Sequence, residues 1–118
     1  MSPVETPESG PWAELSRQVE RVADRLRSIG LDRLARPDNA GVSLADEVHS
    51  ACVVLAAHAQ KSSVSDAVEP PRLADLGSGD QWTVIASEFI AIASRQVPAD
   101  AAGAELIETQ LRDLRRRL

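Results

Sequence analysis

Few residues in this chain have the chemistry to react or to hold a metal: Cys52, His49, His58 and the carboxylates near them. Asp46-x-x-His49 has the spacing of the carboxylate–histidine pair of di-iron helical bundles, which need a second such pair and two more carboxylates on facing helices. The other histidine, His58, has Leu55 at the equivalent position. At about 100° per residue, His49 and His58 also project from opposite faces of one helix, so they do not share an ion. No metal and no cofactor is expected. Cys52 lies three residues from His49, close enough on a helix for a thiol–imidazole contact. It shares an apolar face with Val48 and Leu55, however, and burial keeps a thiol protonated and inert.

Two further motifs have bland explanations. The run GSGDQW at 77–82 puts Trp82 where a dinucleotide loop needs its third glycine, and no strand pattern precedes it. It also lacks the spacing of a nucleophile elbow. It reads as a turn that starts a helix, with Ser78 and Gln81 placed as a capping box. Arg115–Arg117 is flanked by Leu114 and Leu118 on an apolar stripe, which makes at least part of the run a solvated helix end, where cations are favoured. Scattered carboxylates such as Asp80, Glu88 and Glu105 form no acid–base pair by spacing. The chain is therefore expected not to be an enzyme, and its residues carry no resemblance to a named family.

The elements that hold these residues are clear from periodicity. Trp12, Leu15, Val19, Val22, Leu26 and Ile29 alternate at steps of three and four, and Val97, Ala101, Ala104, Ile107, Leu111, Leu114 and Leu118 nearly do. Two stretches near 44–60 and 80–96 are apolar at the same spacing. Each stripe is a helix face that must be buried. Pro11 suits a first helical position after Ser9 or Gly10, and Gly30 suits a left-handed stop. Ser43 with Asp46 resembles a capping box, and Asp100 caps the last helix just after Pro98. LDRLAR at 31–36 can add one helical turn. Residues 62–77, with Pro70–Pro71, form an unusually long connector, and Leu73 and Leu76 are expected to pin it to the bundle.

These elements predict an all-α four-helix up-down bundle: two helical hairpins joined by the 62–77 connector, with the last two helices as antiparallel neighbours. Residues 1–9 read as a disordered acidic tail and 10–118 as a single domain. The acidic, Pro-containing start predicts no secretory leader, no run is long enough to span a membrane, and a lone cysteine fits the cytoplasm. The net charge is −5. The middle of the chain is acidic, with Lys61, Arg72 and Arg95 far outnumbered by Asp and Glu between Ser43 and Glu108, which disfavours nucleic acid. Arg-rich, Ala-rich composition suggests a bacterial source.

Aromatic residues amount to Trp12, Trp82 and Phe89, so the core rests on Ala and Leu and is expected to be thin. The helix near 44–60 is apolar over most of its circumference, with Val53 and Val54 outside the main stripe, which favours a homodimer. The function expected is a non-enzymatic helical interaction module, a small regulatory or assembly protein acting through homodimerisation or a protein partner. Its candidate partner or ligand surface is Trp12, Val53, Val54, Trp82 and Phe89. The alternative is a small-ligand-binding or sensory bundle with an apolar pocket between the 44–60 and 80–96 helices.

Overall fold

A computed structural model describes residues 10–61 and 70–118. The tail at 1–9 and residues 62–69 of the connector lie outside the described residues, so the reading of the tail as disordered falls there as well. The described chain is all-helical: α1 (Pro11–Ser28), α2 (Leu31–Ala35), α3 (Leu44–Gln60), α4 (Ser78–Ala93) and α5 (Ala101–Arg117), with a 3₁₀ turn at Asp75–Gly77. Among the described residues the only strand-like pairing is an isolated bridge between Pro37 and Ser43, and no helix is long and apolar enough to cross a membrane.

Most helix ends follow the sequence. Gly10 caps α1, with Pro11 in the first turn. The Ser43 hydroxyl accepts the Asp46 N–H at 3.0 Å while the Asp46 carboxylate accepts the Ser43 N–H, completing the capping box of α3. Asp100 caps α5 through the Gly103 N–H. Two ends differ. Gly30 is not a left-handed stop: it is extended and serves as the N-cap of α2. Ser78 and Gln81 form no capping box. The residue before α4 is Gly77, the Ser78 hydroxyl donates to the Asp75 carbonyl at 2.7 Å, and the Gln81 amide donates to the Pro71 carbonyl at 2.7 Å. The 3₁₀ turn carries the chain into α4, so the serine is already inside the helix.

The main packing pairs are α1 with α4, α3 with α4, and both α1 and α3 with α5. Directions follow from cross-helix contacts. Trp82 in α4 donates its indole N–H to the Val19 carbonyl of α1, and Gly79 lies beside Ala23 and Leu26, so α1 and α4 are antiparallel. Arg117 reaches Glu47 and His58 reaches Asp100, so α3 and α5 are antiparallel. Arg72, just before α4, bridges to Asp46, while Phe89 lies against His58, so α3 and α4 run the same way. This departs from up-down alternation. The chain leaves α3 at Lys61 and is back beside the first half of α3 at Pro70, whose carbonyl bonds His49. The connector thus returns the chain to the end where α3 began, and α4 starts from there. The last two helices, expected to be close neighbours, meet only sparsely.

One core fills the space between these helices. Its large members include Trp82, Phe89, Leu26, Leu34, Leu44, Leu55, Ile107, Leu111 and Leu114, all essentially inaccessible. Each such side chain contributes roughly 1.5–3 kcal/mol by leaving water. No buried side-chain polar atom among the described residues lacks a partner. Gly79 permits the close approach of α4 to α1: a Cβ there would sit 2.9 Å from the Arg27 Cγ and 3.4 Å from the Ala23 carbonyl oxygen.

Candidate functional site

The residues singled out from the sequence do not form one surface. Trp82 and Phe89 are enclosed in the core, which removes them from any partner or ligand surface. Their stripe faces inward, and with few large residues available the core takes both. Trp12 is half-buried against the core's edge. Val53 is half-buried, and Val54 is 39% exposed on the outside of α3. An open pocket lies where α2, the start of α3 and the end of α5 meet.

Cys52 is fully buried, and desolvation pushes its thiol up to about 12. No group of three or more His, Cys, Asp or Glu among the described residues is arranged to hold a metal. The two histidines have separate structural partners. His49 Nε2 lies 2.9 Å from the Pro70 carbonyl. A carbonyl only accepts, so that nitrogen carries the proton and holds the returning connector to α3. Arg72 strengthens the same clasp, reaching Asp46 and Asp75 at 2.9 Å each. The bond from Arg72 holds the Asp46 carboxyl below its usual range, with the Ser43 cap adding to it.

His58 sits at the other end of α3. Its Nε2 lies 3.0 Å from Asp100 Oδ2, and its ring tilts against Phe89 at 5.6 Å between centroids. The other Asp100 oxygen accepts the Gly103 N–H at 2.9 Å. That N–H is the first cause of a lowered Asp100 pKa, and His58 is the second. One carboxylate therefore caps α5 and ties it to α3. The arrangement requires glycine at 103, because a Cβ there would fall 2.8 Å from the Asp100 Cγ. The cap is legible in the sequence; its second partner, 42 residues earlier, is not.

The surface that is accessible differs from the one expected. Leu31 is 50% exposed, Leu73 40% and Leu76 70%. Leu31 lies in α2, which packs on the 3₁₀ turn containing Leu76, and the Leu73 side chain lies against Gly77. Leu73 and Leu76 thus do not pin the connector; His49, Arg72 and Gln81 do. The leucines are only partly covered at the α2 end of the bundle. No family model, no curated protein and no solved structure matches the chain.

Proposed function

We propose that this protein is a non-enzymatic helical interaction module that works through homodimerisation or a protein partner, as a small bacterial regulatory or assembly component in the cytoplasm. The observation that carries this reading is the exposed leucines Leu31 and Leu76, on α2 and the 3₁₀ turn packed against it, with exposed Leu73 lying against the last residue of that turn. A cluster of exposed apolar side chains is a common mark of an association surface. Val54 and Ala57 on the outside of α3 add a second, weaker apolar strip. The non-enzymatic part is supported by the chemistry of the reactive residues: the thiol is buried with a raised pKa, and both histidines are engaged in holding helices and connector together.

Light scattering during size exclusion at several loading concentrations tests the dimer. The expected result is a mass near twice that of the monomer, reduced to the monomer by Leu76→Glu combined with Leu31→Glu, with helix content retained. Monomer at every concentration removes homodimerisation and leaves a heterologous partner as the reading. An unchanged mass in the double variant moves the seam to the outer face of α3, where Val54→Glu is the next substitution.

A further inference from the structure

We propose that the open pocket at the α2 end of the bundle is a binding site for a carboxylate carried on a short apolar stem. The pocket has a volume of about 240 Å³ and is lined by Arg33, Arg36, Pro37, Asp38, Leu44 and Arg117. Helix α2 with its C-cap residue Arg36, together with the end of α5, thus brings three guanidinium groups to one depression that Leu44 and Pro37 also line.

Charge accounting decides which anion fits. Arg117 is already matched: it bonds Glu47, lies 3.4 Å from Asp38 and donates to the Val42 carbonyl at 3.2 Å. Asp38 is fully engaged as well, accepting the Ala40 and Val42 N–H groups at 2.8 and 3.0 Å. The Val42 N–H is the first cause that holds its carboxyl below the usual range, so it stays ionised. Arg33 differs. It donates to the Arg117 main-chain carbonyl at 3.1 Å, which occupies one N–H and offsets no charge. Arg36 makes no hydrogen bond or ion pair with any described residue. Among the lining arginines and the carboxylates bonded to them, three guanidinium charges against Asp38 and Glu47 leave one positive charge over, with Asp32 making no ion pair with Arg33 or Arg36. One monoanion neutralises that surplus, whereas a phosphate dianion would overshoot it. The pocket also adjoins the C-terminal end of α5, whose dipole disfavours negative charge, so a single charge is opposed less than two. A guanidinium's planar fork matches a carboxylate, and the exposed Pro37 ring offers apolar surface to a short stem beside it.

This site does not depend on the dimer reading. Its carboxylate could come from a free small acid or from an acidic side chain of a partner, and the test separates the two. Amide chemical shifts of the full chain are followed by NMR at constant ionic strength during titration with butyrate, the neutral isostere butyramide, inorganic phosphate, and a glutamate-containing tripeptide blocked at both ends. The expected result is saturable movement of signals from residues 33–38 and 117 with butyrate and none with butyramide. Arg36→Gln and Arg33→Gln each weaken butyrate about tenfold, the scale of one lost charge-assisted bond. Arg112→Gln, an exposed arginine outside the pocket, leaves it unchanged. Tighter binding of the tripeptide than of butyrate identifies a partner's side chain as the source, and the reverse identifies a free acid. The proposal is overturned by equal binding of butyramide, by equal loss in Arg112→Gln, by the absence of saturation with both carboxylate probes, or by phosphate binding more than about tenfold tighter than butyrate.

Discussion

Replacing Asp100 with alanine should cost far more than an ordinary surface change, because one carboxylate performs two tasks. Loss of an N-cap costs about 1 kcal/mol. Loss of the bond from His58 Nε2, in a pair whose side chains are 20% and 15% exposed, adds about 1 kcal/mol, the middle of the range for a partly buried hydrogen bond. The sum of about 2 kcal/mol lowers the melting temperature of a domain this size by about 8 °C. Asp100→Asn keeps an acceptor for the Gly103 N–H but loses the charge facing His58, so it should fall about half as far. The pH dependence has a fixed sign. The folded Asp100 pKa is lowered from 3.8, first by the Gly103 N–H and then by His58. Its stabilisation is therefore fully present above that value and is lost as pH falls through the lower, folded one. The gap between wild type and Asp100→Ala should be constant near neutrality and close in strong acid. Urea unfolding of wild type, Asp100→Ala, His58→Ala and the double variant measures the link directly. A coupling energy of about 0.5–1 kcal/mol is expected. Additive single effects, or a loss from Asp100→Ala below about 0.5 kcal/mol, would refute the shared-carboxylate account.

Three other outcomes follow from the same packing. Gly103→Ala should destabilise the fold by about 1 kcal/mol, although alanine in a helix interior normally gains up to about 1 kcal/mol over glycine; the new Cβ displaces the Asp100 carboxylate, and thermal unfolding reports the sign. Trp82→Ala should cost about 3–5 kcal/mol as a large core truncation. Trp82→Phe should cost less, about 1–2 kcal/mol, mainly through the lost N–H bond to the Val19 carbonyl, and denaturant titration ranks the two. Cys52 should resist thiol reagents at neutral pH and react at a rate set by opening of the fold, since it is buried and its pKa is pushed to about 12. Rapid labelling of the folded protein would contradict this.

Local signals were mostly readable where the deciding contact lies within one turn of a helix. The apolar stripes of α1, α3 and α4, the Ser43–Asp46 box and Asp100 at the start of α5 involve residues three or four apart; the last stripe is buried only from Ile107 to Leu114, since Val97 is 95% exposed before α5 begins and Ala101 is exposed in its first turn. The other misreadings are of two kinds: Gly30 and Ser78 mislead within a turn, and the rest involve partners distant in sequence. Ser78 looks like a cap until the turn at Asp75–Gly77 is seen to extend the helix backwards. Leu73 and Leu76 look like anchors, yet the connector's return is held by polar contacts from His49 and Gln81. Trp82 and Phe89 belong to stripes that the sequence does mark as buried; treating them as a surface gave aromatic character more weight than position. The tripartite arginine pocket was invisible, because Arg33, Arg36 and Arg117 meet only after α5 returns to the α2 end.

The same-way course of α3 and α4 bears on how the chain acquires its structure. Trp82 meets Val19 across 63 residues, and Arg115 meets Gln18 across 97. Of the long helices adjacent in sequence only α3 and α4 pack extensively; α4 and α5 touch sparsely, and α1 with α3 is not among the principal packing pairs. A helical protein ordinarily folds fast because its contacts are local. Here the loops must close before much apolar surface is covered, so the entropy of closure falls early and its return comes late. No contiguous half of the chain contains a complete core. An isolated fragment of α1 through α3 would carry two stripes with no facing helix, and during synthesis those stripes wait for α4. The bundle is thus held together through α4, which joins α1 across most of the chain and α3 beside it, so unfolding is expected to be one cooperative event rather than the peeling of one hairpin from another.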